Sequence, residues 1–123
     1  MPIVSSNQVQ ERMSKIYVGI RDMTNGGGVR GTCRVWVGDK EITPDDGTEF
    51  EWGCPGSFSG NMASAILLDC YREGAIDYGF MIRFRKDIIE RLSFDKWVLD
   101  EGTIDDLLDK YEWERKSNVS KNN

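Results

Sequence analysis

Histidine is absent from all 123 residues of this chain. Its absence removes the usual general base near neutral pH and the commonest metal ligand. Catalysis would have to rest on carboxylates, lysine, tyrosine or a cysteine without a histidine partner, so an enzyme is the weakest functional reading. Cysteine is sparse: Cys33, Cys54 and Cys70 make an odd count with no C-x-x-C spacing. They read as reduced thiols of a cytoplasmic protein, neither a disulfide framework nor a zinc site. No stretch approaches the roughly 20 apolar residues that span a bilayer. The start, Met1-Pro2-Ile3-Val4-Ser5-Ser6-Asn7-Gln8, has neither a basic segment nor a long apolar one, so it does not read as a secretion signal. Positive charge is in deficit, with 16 lysines and arginines against 21 acids and a net charge of −5. That balance argues against a long nucleic acid as partner, because phosphate neutralisation needs a basic field. It leaves room for a small anion held by a few focused arginines, or for an acidic surface that meets a basic protein.

What remains is a length suited to one domain, with 39% hydrophobic and 30% charged residues. Residues 1–14 read as a polar arm, 15–116 as the domain and 117–123 as a frayed tail. Lys15–Asp22 has the β-branched and aromatic content of a strand, with Ile16, Val18 and Ile20 on one face. A glycine-rich turn at Thr24–Gly28 leads to a second strand, Arg30–Val37, and the two form a hairpin. Short strands follow around Glu41-Ile42 and over Glu49–Trp52. The period then changes from two to about 3.6. Met62, Ile66 and Cys70, with Ala63 and Leu67 beside them, line a helix over Ser59–Arg72. Met81, Phe84, Ile88 and Leu92 line another over Tyr78–Leu92. Lys96–Leu99 is a final strand or an extended crossing, and a last helix begins at Thr103 with Ile104, Leu107, Leu108 and Tyr111 at helical spacing. Strands first and helices second predict an α+β fold, an antiparallel sheet of N-terminal hairpins with two to three helices on one face.

One segment carries chemistry. Glu51-Trp52-Gly53-Cys54-Pro55-Gly56-Ser57-Phe58-Ser59-Gly60-Asn61 runs from an aromatic-ended strand through a small-residue turn into an apolar helix. Amides at a helix start are unpaired within the helix and carry the positive end of its dipole, so they suit a phosphate or carboxylate. A simple cap, with Ser59 or Asn61 accepting a bond from the first turn, explains the same residues.

Phe50-Glu51-Trp52-Gly53, Gly56-Ser57, Gly60 and Ala63–Asp69 resemble a small domain family of phages and bacteria. That family has a phenylalanine-glutamate-tryptophan-glycine signature, a glycine-serine-glycine-proline turn and an alanine/leucine helix. The likeness begins at Tyr17–Arg21 and continues through Phe84-Arg85-Lys86, Trp97 and the Ile104 helix. The turn departs from the pattern: it is one residue longer, contains Phe58 and Ser59, and lacks the proline. Within this likeness the chain is similar to the first type of Thoeris anti-defence protein. That resemblance implies a phage counter-defence sponge, which holds a cyclic ADP-ribose signal made by a TIR-domain enzyme, or a cyclic oligonucleotide, without cleaving it. It also implies a homo-oligomer, a dimer or a hexamer, and no cofactor.

A ligand of that kind needs arginine forks or helix-start amides for its phosphates and an aromatic plate for its base. The candidates are Arg30 and Arg34 on the second strand, Arg85 and Arg83 on the second helix, and Ser57, Ser59, Gly60 and Asn61 at the first helix start. Trp52, Phe58, Phe84, Tyr17 and Phe80 are the aromatic candidates, and Gly26–Gly28 a possible lid. Arg85, next to Phe84, is better placed than Arg83 to reach a cleft. Each arginine is equally explained by a solvated face or a surface ion pair. The alternative function is a small acidic inhibitor that covers a basic protein surface with the strips Asp39–Glu51 and Asp100–Asp109. A third is a nucleotide hydrolase using Glu51 or Asp69 as base, which lacks a metal cluster or nucleophile motif.

Overall fold

The first strand sets the two faces of the sheet. In a computed structural model that describes residues 15–24, 28–45, 47–71 and 77–122, β1 spans Ile16–Asp22 and alternates strictly. Tyr17, Gly19 and Arg21 are buried, while Ile16 and Ile20 are exposed. The three aliphatic residues Ile16, Val18 and Ile20 do share a face, and it is the outward one. Across a hairpin lies β2, Thr32–Val37, antiparallel with Gly19 opposite Val35 and Arg21 opposite Cys33. A turn at Gly38-Asp39 returns the chain as β3, Lys40–Ile42, paired to β2. On the other side of β1 runs β4, Lys96–Asp100, with Gly19 opposite Trp97. The sheet order is therefore β3-β2-β1-β4, antiparallel throughout.

Three helices cover the inner face. The first, α1, spans Ser57–Tyr71 and buries Met62, Ala63, Ile66 and Leu67, as its 3.6-residue spacing predicts. The second, α2, spans Tyr78–Asp87 and is capped by Asp77, whose carboxylate accepts the Phe80 amide at 3.2 Å. Its expected run to Leu92 stops at Asp87. A short 3₁₀ turn, Ile89–Arg91, follows and buries Ile89 in place of Ile88. The third, α3, spans Glu101–Asn122. Asp100 starts it, accepting the Thr103 hydroxyl at 2.7 Å, and Ile104 and Tyr111 are buried along it. Its backbone continues past residue 116, where the sequence predicts a frayed tail. The Tyr111 hydroxyl donates to Asp87 at 2.8 Å and ties α3 to the end of α2. The core is continuous from Tyr17, Val35 and Leu99 on the sheet to Met62, Ile66, Phe84, Ile89 and Ile104 on the helical side.

The fold is α+β as expected, with one correction. Of the two readings of Lys96–Leu99 the strand holds: Lys96–Asp100 follows α2 in the chain and joins the N-terminal strands beside β1. Glu49–Trp52 is not a strand. Its alternation is genuine, with Phe50 and Trp52 buried and Glu51 half-buried. Its backbone partners, however, are not a ladder: the Trp52 carbonyl accepts from Arg21, and the Gly53 amide bonds the Ile89 carbonyl at 2.9 Å. Gly53 takes φ +77°, which a side chain would adopt only with strain. The expected N-terminal arm (1–14) and the lid residues Gly26 and Gly27 lie outside the described residues.

Gly19 is required by packing. A Cβ built there would stand 2.2–2.4 Å from three atoms of the Trp97 indole. The indole thus lies flat against bare backbone, with its ring edge-on to Trp52 at 5.3 Å and 89°. Gly19→Ala should therefore displace Trp97 and destabilise the fold by about 1–3 kcal/mol, the range for overpacked cores. Urea unfolding followed by tryptophan fluorescence measures this, and parental stability would show that the indole moves freely.

Candidate functional site

Arg21 occupies an inward β1 position where an apolar residue is the usual choice, and its side chain is fully buried. Its guanidinium is satisfied on every side. Nε donates to the Phe94 carbonyl at 2.8 Å, Nη1 to the Arg30 carbonyl at 2.7 Å, and Nη2 to Glu51 Oε1 at 2.7 Å. The cation lies 3.8 Å from the Phe94 ring centroid and 5.1 Å from that of Trp52. Glu51 also accepts Arg30 Nε at 2.7 Å, the Trp52 amide at 2.9 Å and the Cys33 thiol at 3.4 Å. Burial pushes the Glu51 carboxyl up, but the bonds from Arg30, Arg21, Trp52 and Cys33 outweigh it and hold the acid at about 2. A carboxylate held so low is a poor general base near neutral pH. Burial beside the same carboxylate pushes the Cys33 thiol up to about 12, so it stays protonated and inert. This cluster fastens β1 to the turn before α1 and to the Phe94 loop.

A second constellation lies at the start of α1. Ser59 is buried and its hydroxyl donates to the Cys54 carbonyl at 2.7 Å, which fixes the turn. No acid stands in the first turn. Arg85 crosses from α2 to meet it. A Cβ on Gly60 would lie 3.7 Å from Arg85 Cδ and 3.8 Å from its Nη1. Arg85 Nε faces Glu90 Oε2 at 3.0 Å, without hydrogen-bond alignment. Its terminal nitrogens have no hydrogen-bond partner among the described residues. Ser57 and Phe58 are exposed on the same turn. A half-shielded guanidinium thus lies against Gly60 in the first turn of α1.

A groove of about 580 Å³ runs along α1, between β3 with Thr43, Pro44, Asp45 and Thr48 and the strip Asn61, Ser64, Ala65 and Leu68. At its end Asp69 accepts the Tyr17 hydroxyl at 2.7 Å and faces Lys15 at 3.4 Å and Lys40 at 3.7 Å. Among the described residues, no group of three or more histidine, cysteine, aspartate or glutamate side chains is placed to hold a metal ion. None of the described helices is long and apolar enough to cross a membrane.

The residues singled out from sequence thus fall in several places. Gly60 and Arg85 lie side by side, Ser57 and Phe58 are exposed on the same turn, Ser59 is buried with its hydroxyl on Cys54, and Asn61 lines the groove. Trp52 and Phe84 are core residues with no exposed surface, because each fills the space between α1, α2 and the sheet. Tyr17 is likewise buried, with its hydroxyl on Asp69. Arg30 is committed to Glu51. Arg34 stands on the outer sheet face, forked onto Glu41 at 2.9 and 3.0 Å and lying over Trp36. Arg83 pairs with Glu114 and covers the Tyr111 ring, and Phe80 packs against that ring under Arg115. Sequence reading missed Arg21 and Phe94. The available signal was the phase of β1: Arg21 alternates with Tyr17 and Gly19.

Removing one partner from a buried ion pair leaves the other charge uncompensated. Glu51→Gln should therefore destabilise the protein by about 3–5 kcal/mol. Because the folded acid lies below its ordinary value of 4.5, its contribution is complete above about pH 4.5 and is lost as pH falls toward about 2. Urea midpoints across this window should fall steeply for the parent and more shallowly for the variant.

Comparison with known proteins gives one informative match. No curated protein and no solved structure matches the chain. The profile of a family of unknown function, DUF6166, matches residues 27–110, ending within α3. That span holds Arg30, Glu51, the start of α1, Arg85 and Phe94, and it begins after Arg21. Covering more than half of the sequence, the match establishes that this chain belongs to the DUF6166 family.

Proposed function

We propose that the protein is a non-catalytic binder of a small phosphate-bearing signal, a cyclic nucleotide of the cyclic ADP-ribose class, which it sequesters in the host cytoplasm as a phage counter-defence protein. The observation that carries this reading is the approach of Arg85 to Gly60 in an acid-free first turn of α1. The amides of Ser57, Phe58 and Ser59 precede the first intrahelical bond, which runs from the Gly60 N–H to the Gly56 carbonyl at 3.2 Å, and the Arg85 terminal nitrogens supply a fork for a phosphate. Exposed Phe58 offers a face for a base. Glu51, held ionised and shielded by two arginines, supports binding over hydrolysis. The nature of the signal and assembly as a homo-oligomer come from the resemblance to anti-defence sponges described above.

Calorimetric titration with cyclic ADP-ribose isomers and with cyclic di- and trinucleotides tests the proposal, with chromatography of the ligand released by heat. Submicromolar binding with intact ligand recovered is the expected result. Arg85→Ala should weaken it by about 1.5–3 kcal/mol, as loss of a charged hydrogen bond does, roughly ten- to a hundredfold in Kd. Altered ligand would turn the reading into an enzyme. A folded Arg85→Ala protein that binds as tightly as the parent would displace the site from α1.

A further inference from the structure

The groove beside α1 has a property independent of the phosphate site: one wall is the edge of the sheet. β3 ends the sheet, and among the described residues its strand neighbour is β2 alone. The two-residue turn Gly38-Asp39 makes Val37 and Lys40 the closing pair of the hairpin. The alternation of an antiparallel ladder then turns the Glu41 N–H and C=O away from β2, toward open space. No other described group bonds them. An unpaired main-chain donor and acceptor on a strand edge are a template for another strand.

The other wall supplies side-chain recognition. Asn61, Ser64, Ala65 and Leu68 recur at helical spacing along α1 and line the groove. The carboxamide of Asn61 and the hydroxyl of Ser64 have no hydrogen-bond partner among the described residues. Leu68 is 53% exposed, an uncovered aliphatic side chain between a polar strip and the sheet edge. Charges on the lining are nearly balanced internally. Glu41 is taken by Arg34, and Asp69 by Lys15, Tyr17 and Lys40. Asp45, at the rim, has no partner for its carboxylate among the described residues. The uncompensated charge of the described lining is therefore negative.

We infer that this groove takes an extended peptide segment of a protein partner, laid along β3 as a fifth strand, with an apolar side chain on Leu68 and a lysine or arginine near Asp45. Main-chain bonds to Glu41 give affinity, and the side-chain contacts on alternate residues give specificity. The volume of about 580 Å³ accommodates a few residues of such a segment. Charge complementarity selects a basic peptide over an acidic one.

The test uses an array of amidated heptapeptides in which valine alternates with threonine and one central position carries lysine, arginine, glutamate or norleucine. The tightest binder is then mapped onto the full chain by amide chemical shifts. Lysine and arginine peptides should bind, with shifts at residues 40–43 and 61–68. Glu41→Pro removes the outward N–H without touching the β2 ladder and should weaken binding about tenfold or more, and Leu68→Glu should do the same. Asp45→Asn should abolish the preference for basic over acidic peptides while leaving the fold unchanged by circular dichroism. Absence of binding by every peptide overturns the inference. So do shifts confined to the outer sheet face or to Phe58 and Arg85, parental affinity in folded Glu41→Pro protein, or competition by spermidine at equal strength. Nucleotide titration of the same Glu41→Pro and Leu68→Glu proteins stays parental, which separates this groove from the phosphate site.

Discussion

The buried ion pair between Arg21 and Glu51 is the constraint on which the arrangement of this domain turns. A guanidinium without solvent contact is tolerable only when its donors and its charge are met, and four groups from three separate segments meet them here. The carbonyls of Arg30, Trp52 and Phe94 and the carboxylate of Glu51 are brought together around one side chain. Phe94 and Trp52 supply ring contacts to the cation. Through this cluster β1 is joined to the turn that precedes α1 and to the loop that precedes β4. The segment around Glu51 is held extended by these bonds rather than by a strand ladder. The start of α1, where the candidate ligand residues stand, takes its position from the same segment, through Gly53 on Ile89 and Ser59 on Cys54.

The first strand inverts the simplest hydropathy rule. Its inner face carries Tyr17, Gly19 and Arg21 on β1, and its outer face carries Ile16, Val18, Ile20, Trp36 and Val98. Val98 is 68% exposed, and the ion pair of Arg34 with Glu41 lies across the same surface. Trp97 fits over Gly19 only because that residue has no side chain. Aliphatic side chains on the outer face meet the β propensity of the strand without contributing to the core.

α1 presents two chemistries on two sides. Toward α2 it offers an acid-free first turn, Gly60 and Arg85, an arrangement suited to a compact anion. Toward β3 it offers the strip from Asn61 to Leu68, which suits an extended chain. The same packing sets two titratable groups: Glu51 is pinned in its ionised form by its hydrogen-bond donors, and burial keeps the Cys33 thiol protonated.

The sequence by itself determined the fold class and most of the elements, because local periodicity is written in neighbouring residues. The β1–β2 hairpin, the short β3 and the buried rows of α1 and α3 all follow from spacing of two or 3.6. It also placed the start of α1 at Ser59, within the first turn of the helix that begins at Ser57. What only the tertiary structure decided depends on contacts between distant segments. Periodicity does not say which face of β1 turns inward, and Arg21 could be assigned only once Glu51 and Phe94 stood beside it. Glu49–Trp52 alternates like a strand, yet its backbone groups found partners in Arg21 and Ile89. Trp52 and Phe84, reasonable stacking surfaces in one dimension, are core residues in three. Arg30 and Arg34 likewise met carboxylates that stand 21 and 7 residues further along the chain. Charge pairing over such separations is set by packing geometry, and no local pattern encodes it.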